Sequence, residues 1–168
     1  MTDENNNQNL AIVADENSEL QRFLEFSLGE EDYAIPLLSV REVISVPETT
    51  PIPKAPSHFL GIMNLRGQVI SVVDMRTKLK IKALENNSEE SVIIVDIDGM
   101  NLGIVVDSIN KVLAFSLNEI NDVPEIETQV NAEYIYGVYR KEDSLTVLLN
   151  VAKVLDIADV NTLKKKAA

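Results

Sequence analysis

The strongest constraint on this chain is a short-range pattern, in which brief runs of alternating apolar and polar residues are interrupted at regular intervals by turn-forming clusters. From Gln21 onward, Phe23, Glu25 and Ser27 fall on one parity and Leu24, Phe26 and Leu28 on the other, before Gly29-Glu30-Glu31-Asp32 and then Tyr33-Ala34-Ile35. A period of two sends alternate side chains to opposite faces of a strand, so this stretch is predicted to be a hairpin with an acidic turn. The same grammar recurs three times. Ile62-Met63-Asn64-Leu65 and Val69-Ile70-Ser71-Val72-Val73 flank Arg66-Gly67-Gln68, and Val92-Ile93-Ile94-Val95 and Leu102-Gly103-Ile104-Val105-Val106 flank a turn at Asp96-Ile97-Asp98-Gly99. Tyr134 to Tyr139 and Leu145 to Leu149 then flank a charged turn, with a further strand expected at Ile109 to Phe115. About ten short strands in two similar halves follow, with little continuous helix, and small antiparallel barrels are the architecture that buries one face of each strand and limits free edges. A mainly β fold of two five-stranded barrels with a few short helices fits this count.

The connections carry their own signals. Leu38, Val40, Val43, Ile44 and Val46 mix helical and strand spacing, so Ser39 to Ser45 is expected to begin as one turn capped by Ser39 and to finish extended. Pro47, Pro51, Pro53 and Pro56 each fix their own φ and push their predecessors toward extended geometry, which predicts a stiff exposed loop. Ser57 can cap a short turn through Leu60, Asp74 to Leu79 suits one helical turn, and Asn150 to Ile157 reads as a short amphipathic helix. Lys80 to Ser91 is a polar link that suits a boundary, dividing residues 20–157 into subdomains of about 20–85 and 90–157, with a tail at 158–168. The first nineteen residues hold five acidic side chains and no Lys or Arg, and are expected to be a disordered tail whose apolar patch, Leu10 to Ala14, could dock transiently.

Composition excludes several function classes. The formal net charge of −12 opposes binding to a phosphate backbone, so nucleic acid is not expected as a partner. The chain has no Cys, which removes disulfides, thiolate ligands and a Cys nucleophile and agrees with a reducing compartment. No run approaches the roughly 20 apolar residues that cross a bilayer, and Met1 to Asn9 is polar and acidic, so a soluble cytoplasmic protein without direct membrane insertion is expected. Lys164-Lys165-Lys166 is too short to alter that expectation. His58 is the single His and has no Ser in an elbow motif beside it, so it reads as a turn residue. Asp96-Ile97-Asp98-Gly99 lacks the further ligands of a calcium loop and reads as a β-turn. No phosphate loop or metal-ligand cluster is discernible, so catalytic residues, metal and cofactor are all expected to be absent.

One segment is more specific than its periodicity. Gly61-Ile62-Met63-Asn64-Leu65-Arg66-Gly67-Gln68-Val69-Ile70, running on to Val73-Asp74-Met75-Arg76, resembles the central signature of the CheW-like domain family. Phe23-Leu24-Glu25-Phe26-Ser27-Leu28-Gly29, Tyr33-Ala34-Ile35 and Val40-Arg41-Glu42-Val43-Ile44 resemble its opening, and Gly103-Ile104-Val105-Val106-Asp107 its second half, so the likeness spans roughly Leu20 to Leu155. The resemblance implies two SH3-like barrels packed around a shared hydrophobic interface. It also implies no catalytic activity and the role of an adaptor between the cytoplasmic tip of methyl-accepting chemoreceptors and the regulatory domain of the CheA histidine kinase, recruited to membrane-associated receptor arrays. Because the likeness uses almost all of these residues, neither the kinase nor the receiver domain to which other family members are fused is expected here.

Within that register, Arg66 is a cation displayed in a hairpin turn, able to offer a planar multi-donor contact, although a merely solvated Arg is the alternative. The family register sets Glu42 beside it on the first barrel, near the receptor-facing surface; Val40 and Ile44 flank Glu42 and Gly61 lies just before the signature strand, an apolar patch beside a charged pair, with core burial of the aliphatics equally open. Ile109 and Val112 lie, by the same register, near the groove between subdomains where a receptor tip could pack, or else are plain strand core. Ile126, in Asp122-Val123-Pro124-Glu125-Ile126, is implied to touch a second kinase domain. Competing readings are a paralogous scaffold of another chemosensory system, a generic SH3-like peptide binder using the Pro47 to Pro56 loop, and a small hydrolase centred on His58.

Overall fold

A computed structural model describes residues 20–82, 89–122 and 130–155. The expected disordered tail before Leu20, the tail from 158 onward, Ile126 and the middle of the acidic link lie outside the described residues. Eleven strands form in chain order: β1 (Leu20–Leu28), β2 (Glu31–Pro36), β3 (Val40–Ser45), β4 (Phe59–Leu65), β5 (Gln68–Asp74), β6 (Ser91–Ile97), β7 (Met100–Val106), β8 (Ser108–Ser116), β9 (Ile120–Asn121), β10 (Ile135–Lys141) and β11 (Ser144–Leu149). Two short helices, α1 (Met75–Leu79) and α2 (Val151–Val154), and three single 3₁₀ turns complete the described elements.

The strands assemble into two sheets. One has six strands in the order β8-β1-β2-β11-β10-β9, the other five in the order β3-β6-β7-β5-β4. Most ladders are antiparallel, four of them hairpins, and each sheet contains one parallel pair, β11 with β2 and β5 with β7. The sheets do not follow the two sequential halves of the chain: β1 and β2 join the strands after Asp107, while β6 and β7 join β3, β4 and β5. Burial explains the order. Val92-Ile93-Ile94-Val95 and Leu102 to Val106 are buried without alternation, as are Phe23 to Phe26; these belong to β6, β7 and β1, interior strands whose two faces are both covered by apolar clusters. The strictly alternating β3 takes an edge.

Three apolar clusters result. The largest draws Phe26, Leu28, Tyr33 and Leu149 from one sheet and Ile93, Val95, Ile104 and Val106 from the other, and so holds the sheets together. Each sheet carries a smaller cluster on its other face, Phe23, Ala34, Phe115 and Leu148 in the six-stranded sheet and Met63, Ile70, Val72, Val92, Ile94 and Val105 in the five-stranded one.

The local signals meet their structures closely. Asp74 caps α1 by accepting from the Arg76 N–H at 3.0 Å, and Asn150 caps α2 by accepting from the Lys153 N–H at 3.3 Å. Asp98 and Gly99 both hold positive φ in the β6–β7 turn, where Asp96 accepts from the Gly99 N–H at 2.8 Å. The single turn before β3 lies at Leu37–Ser39, so Ser39 ends it and does not cap it. The proline-rich loop is only partly exposed, because Ile52 and Ala55 pack against the shared core. His58 accepts from the Asp74 N–H at 2.8 Å through its carbonyl, and its ring leans on Phe59 at 4.6 Å.

Candidate functional site: the rim of the five-stranded sheet

Leu65 and Gln68 are paired across the β4–β5 hairpin, so only Arg66 and Gly67 make the turn. Their φ values are 51° and 84°, the pair of positive angles that a two-residue I′ turn requires. Gly67 reaches this region freely, whereas Arg66 is held there at a steric cost. Asn64 steadies the turn by accepting from the Gly67 N–H at 2.9 Å.

From this position Arg66 reaches Glu42 in a two-pronged fork, Nη1 donating to Oε2 and Nη2 to Oε1, each at 3.0 Å. The contact is unexpected from strand order alone, because β3 and β4 are opposite edges of the sheet. A flat sheet of this order would hold them roughly 19 Å apart. Two further observations show that the sheet curls. Thr50, just beyond β3, exchanges backbone hydrogen bonds with Ile62 of β4 at 2.8 and 2.9 Å. Ile44 of β3 and Leu65 of β4 pack against one cluster on the concave face. Glu42 and Arg66 therefore face each other across a rim, over a recess of about 340 Å³ floored by Ile70 and Ile94.

The fork leaves much of its chemistry available. The Arg66 side chain is 73% exposed and that of Glu42 28%. An exposed pair of this kind contributes only about 0–1 kcal/mol to stability. Beside it Arg41 pairs with Asp96, which also holds the β6–β7 turn. Exposed Val69 lies two residues past the turn on β5.

The other candidate residues separate. Val40 is half-buried against the shared core and Ile44 against the concave cluster, because a register shift at Arg41 turns them to different faces. Gly61 is buried at φ 147°, and a Cβ there would lie 2.3 Å from the Thr50 carbonyl oxygen, so what the structure assigns it is close backbone packing. Ile109 and Val112 sit on β8, an edge of the other sheet, Ile109 half-buried against the shared core and Val112 exposed.

A second constellation had no role assigned from sequence. Asp107 links β7 of one sheet to β8 of the other and is only 1% exposed. Its carboxylate accepts from the Gly29 N–H in the β1–β2 turn at 2.5 Å and from Arg76 Nη1 at 2.8 Å, while its own N–H donates to the Ser27 carbonyl at 3.0 Å. Arg76, with a side chain 13% exposed, also meets Asp74 at 3.3 Å and Glu90 at 2.9 Å. Burial pulls the Arg76 pKa down, but Asp74, Asp107 and Glu90 outweigh it and hold the guanidinium above its ordinary value. Buried Glu25 is satisfied in the same manner, by Thr146 at 2.8 Å and Asn110 at 3.2 Å. The available signal was a charged residue directly after an apolar strand at Val105-Val106-Asp107, and its partners are remote in sequence.

Comparison with known proteins finds a family and relatives of similar length. The family model described as a CheW-like domain matches residues 22–159. The chain is 32% identical over 151 residues to the chemotaxis protein CheW of Treponema pallidum, covering 88% of this chain and 89% of that one. It is 30% identical over 141 residues to the chemotaxis protein CheW of Helicobacter pylori, covering 84% and 85%. The crystal structure of the scaffolding protein CheW from Thermoanaerobacter tengcongensis superposes with a TM-score of 0.75 at 27% identity, over 83% of this chain and 90% of that one.

Proposed function

The chain belongs to the CheW-like domain family, and from that premise we propose that it is a chemotaxis adaptor coupling chemoreceptors to the CheA histidine kinase without making or breaking a bond itself. The observation that carries this reading furthest is the Arg66–Glu42 fork. A guanidinium held in a sterically costly turn, mostly exposed and worth little to stability, is organised for something other than folding. Together with the concave recess and exposed Val69 it makes a compact polar and apolar surface of the kind found at interface centres.

In this reading the rim of the five-stranded sheet meets the regulatory domain of the kinase, a homologous domain, with Glu42 and Arg66 at its centre and Ile44 on its concave side. The β8 edge, through Ile109 and Val112, meets the receptor tip, and Ile126 serves a second kinase domain of the array. Each interface is modest alone and gains strength when several are linked through effective concentration. Recruitment to membrane-associated arrays then follows from the receptors and not from this chain, in whose described residues no helix is long and apolar enough to cross a membrane.

The test is co-sedimentation with receptor cytoplasmic fragments and CheA, omitting each component in turn, on the unaltered chain and on Arg66→Glu and Arg66→Gly. The unaltered chain is expected to hold both partners in one particle. Both variants are expected to lose association with at least one partner while keeping their circular dichroism, since Gly relieves the turn and Glu sets two like charges together at an exposed site. Unchanged binding of both variants to both partners overturns the rim as a contact surface, and failure of the unaltered chain to form a ternary particle overturns the adaptor reading.

A further inference from the structure

The two sheets are built to one plan. The order β3-β6-β7-β5-β4 of one recurs in the other as β8-β1-β2-β11-β10, and the ladders agree in direction throughout, down to the single parallel pair. The register fixes the correspondence residue by residue. Val40 opposes Val95 as Ile109 opposes Phe26, and Ser71 opposes Leu102 as Val147 opposes Tyr33. The Asp74 N–H donates to the His58 carbonyl, and the Asn150 N–H to the Tyr134 carbonyl, both at 2.8 Å. Asp74 and Asn150 then cap α1 and α2. Three further residues are matched as a result. Leu38, between β2 and β3, stands where Asp107 stands between β7 and β8; Ala152, second in α2, stands where Arg76 is second in α1; and Asp98 of the β6–β7 turn stands where Gly29 is in the β1–β2 turn.

The two equivalent junctions are filled differently. At one, Asp107 is turned inward, 1% exposed, and Arg76 lays its guanidinium on it at 2.8 Å. At the other, Leu38 is turned outward, 97% exposed, and Ala152 brings no cation. What remains there is an open recess of about 200 Å³ walled by Ser39, Asp98, Tyr136, Asn150 and Ala152. It shares no lining residue with the recess at the Arg66–Glu42 rim. Two carboxylates, Asp96 and Asp98, line it and no Lys or Arg does. Asp96 is engaged by Arg41 and by the Gly99 N–H, so exposed Asp98 carries the acceptor capacity. Tyr136 and Pro36 also wall the apolar groove next to it, to which Leu38 belongs. We propose that this recess is a socket for an arginine side chain in a segment of a partner protein. Its guanidinium donates to Asp98 and stacks on Tyr136, while an apolar residue beside it in the partner packs against Leu38. A planar, weakly hydrated, multi-donor cation suits a carboxylate beside an aromatic ring better than an ammonium does, and a net charge of −12 draws a cationic segment toward the chain.

The probe is the capped peptide acetyl-Leu-Arg-Leu-amide, titrated into the isotope-enriched full chain, with the same peptide carrying citrulline, the neutral isostere, in place of arginine. Saturable amide shifts are expected at Leu38, Asp98, Gly99 and Ala152 and not at Glu42, and citrulline should bind at least about tenfold more weakly. Ala152→Arg supplies from within the cation that the junction lacks, and Asp98→Asn removes the acceptor while keeping a residue that tolerates positive φ. Both positions are exposed, so both variants should keep their circular dichroism and lose at least about tenfold in affinity for the arginine peptide. Equal affinity for the two peptides overturns the proposal, as do unchanged affinities in both variants. Shifts spread evenly over exposed carboxylates, or no saturable shift at these four residues, overturn it as well.

Discussion

Removal of the Asp107 carboxylate tests how the two sheets are joined. In Asp107→Ala the Gly29 N–H at 2.5 Å and the Arg76 Nη1 at 2.8 Å lose their acceptor in a place 1% exposed. Breaking a buried pair by deleting one partner costs about 3–5 kcal/mol, and an orphaned buried N–H alone costs about 1–3 kcal/mol. Arg76 keeps Asp74 and Glu90, so its charge is not left uncompensated and the lower end applies, about 3 kcal/mol. For a chain of this size that is a fall in Tm of about 6–12 °C. Asp107→Asn should fare little better, because its amide offers one acceptor oxygen to two donors and turns an N–H toward the other. Urea denaturation followed by circular dichroism reads the loss. A cycle with Arg76→Gln should show the two substitutions to be non-additive by at least about 0.5 kcal/mol, as contacting groups are. A loss below about 1 kcal/mol for Asp107→Ala, or strict additivity with Arg76→Gln, would refute the reading of Asp107 as a buried acceptor shared by Arg76 and the β1–β2 turn where the two sheets meet.

Two further outcomes are expected. Gly61→Ala sets a Cβ 2.3 Å from the Thr50 carbonyl oxygen at φ 147°, so backbone must move and stability should drop by about 2–4 kcal/mol in urea denaturation, strain and overpacking together. The Tyr33 hydroxyl is buried and donates to Glu31 at 2.5 Å, and burial first, then that carboxylate, push its pKa far above the ordinary value of about 10. The unfolded chain therefore releases this proton at lower pH than the folded one, and stability should decline as pH rises beyond about 10, a decline that Tyr33→Phe should lessen in denaturation series run across that range.

What the residues determined by themselves is local. The alternation of Phe23 to Leu28, the Arg66-Gly67 and Asp98-Gly99 turns, the Asp74 cap and the Asn150 cap each depend on neighbours within a few positions, so propensity, turn chemistry and period two suffice to place them. The rim pair was legible only because the family register set Glu42 beside Arg66, since no local rule brings residues on β3 and the β4–β5 turn together.

Tertiary structure decided the rest, because it alone settles which strands are buried on both faces. It set β6 and β7 inside one sheet and brought β1 and β2 to the strands near the end of the chain, crossing the division that the polar link at Lys80 to Ser91 suggested. It turned Val40 and Ile44 to different faces through one register shift, and gave Gly61 a packing role. The same crossing buried Asp107 between the sheets, where Arg76 and the β1–β2 turn reach it from distant parts of the chain. A sequence states which residues can alternate and turn, but desolvation of a whole face is a property of every strand at once, and it chooses the partners.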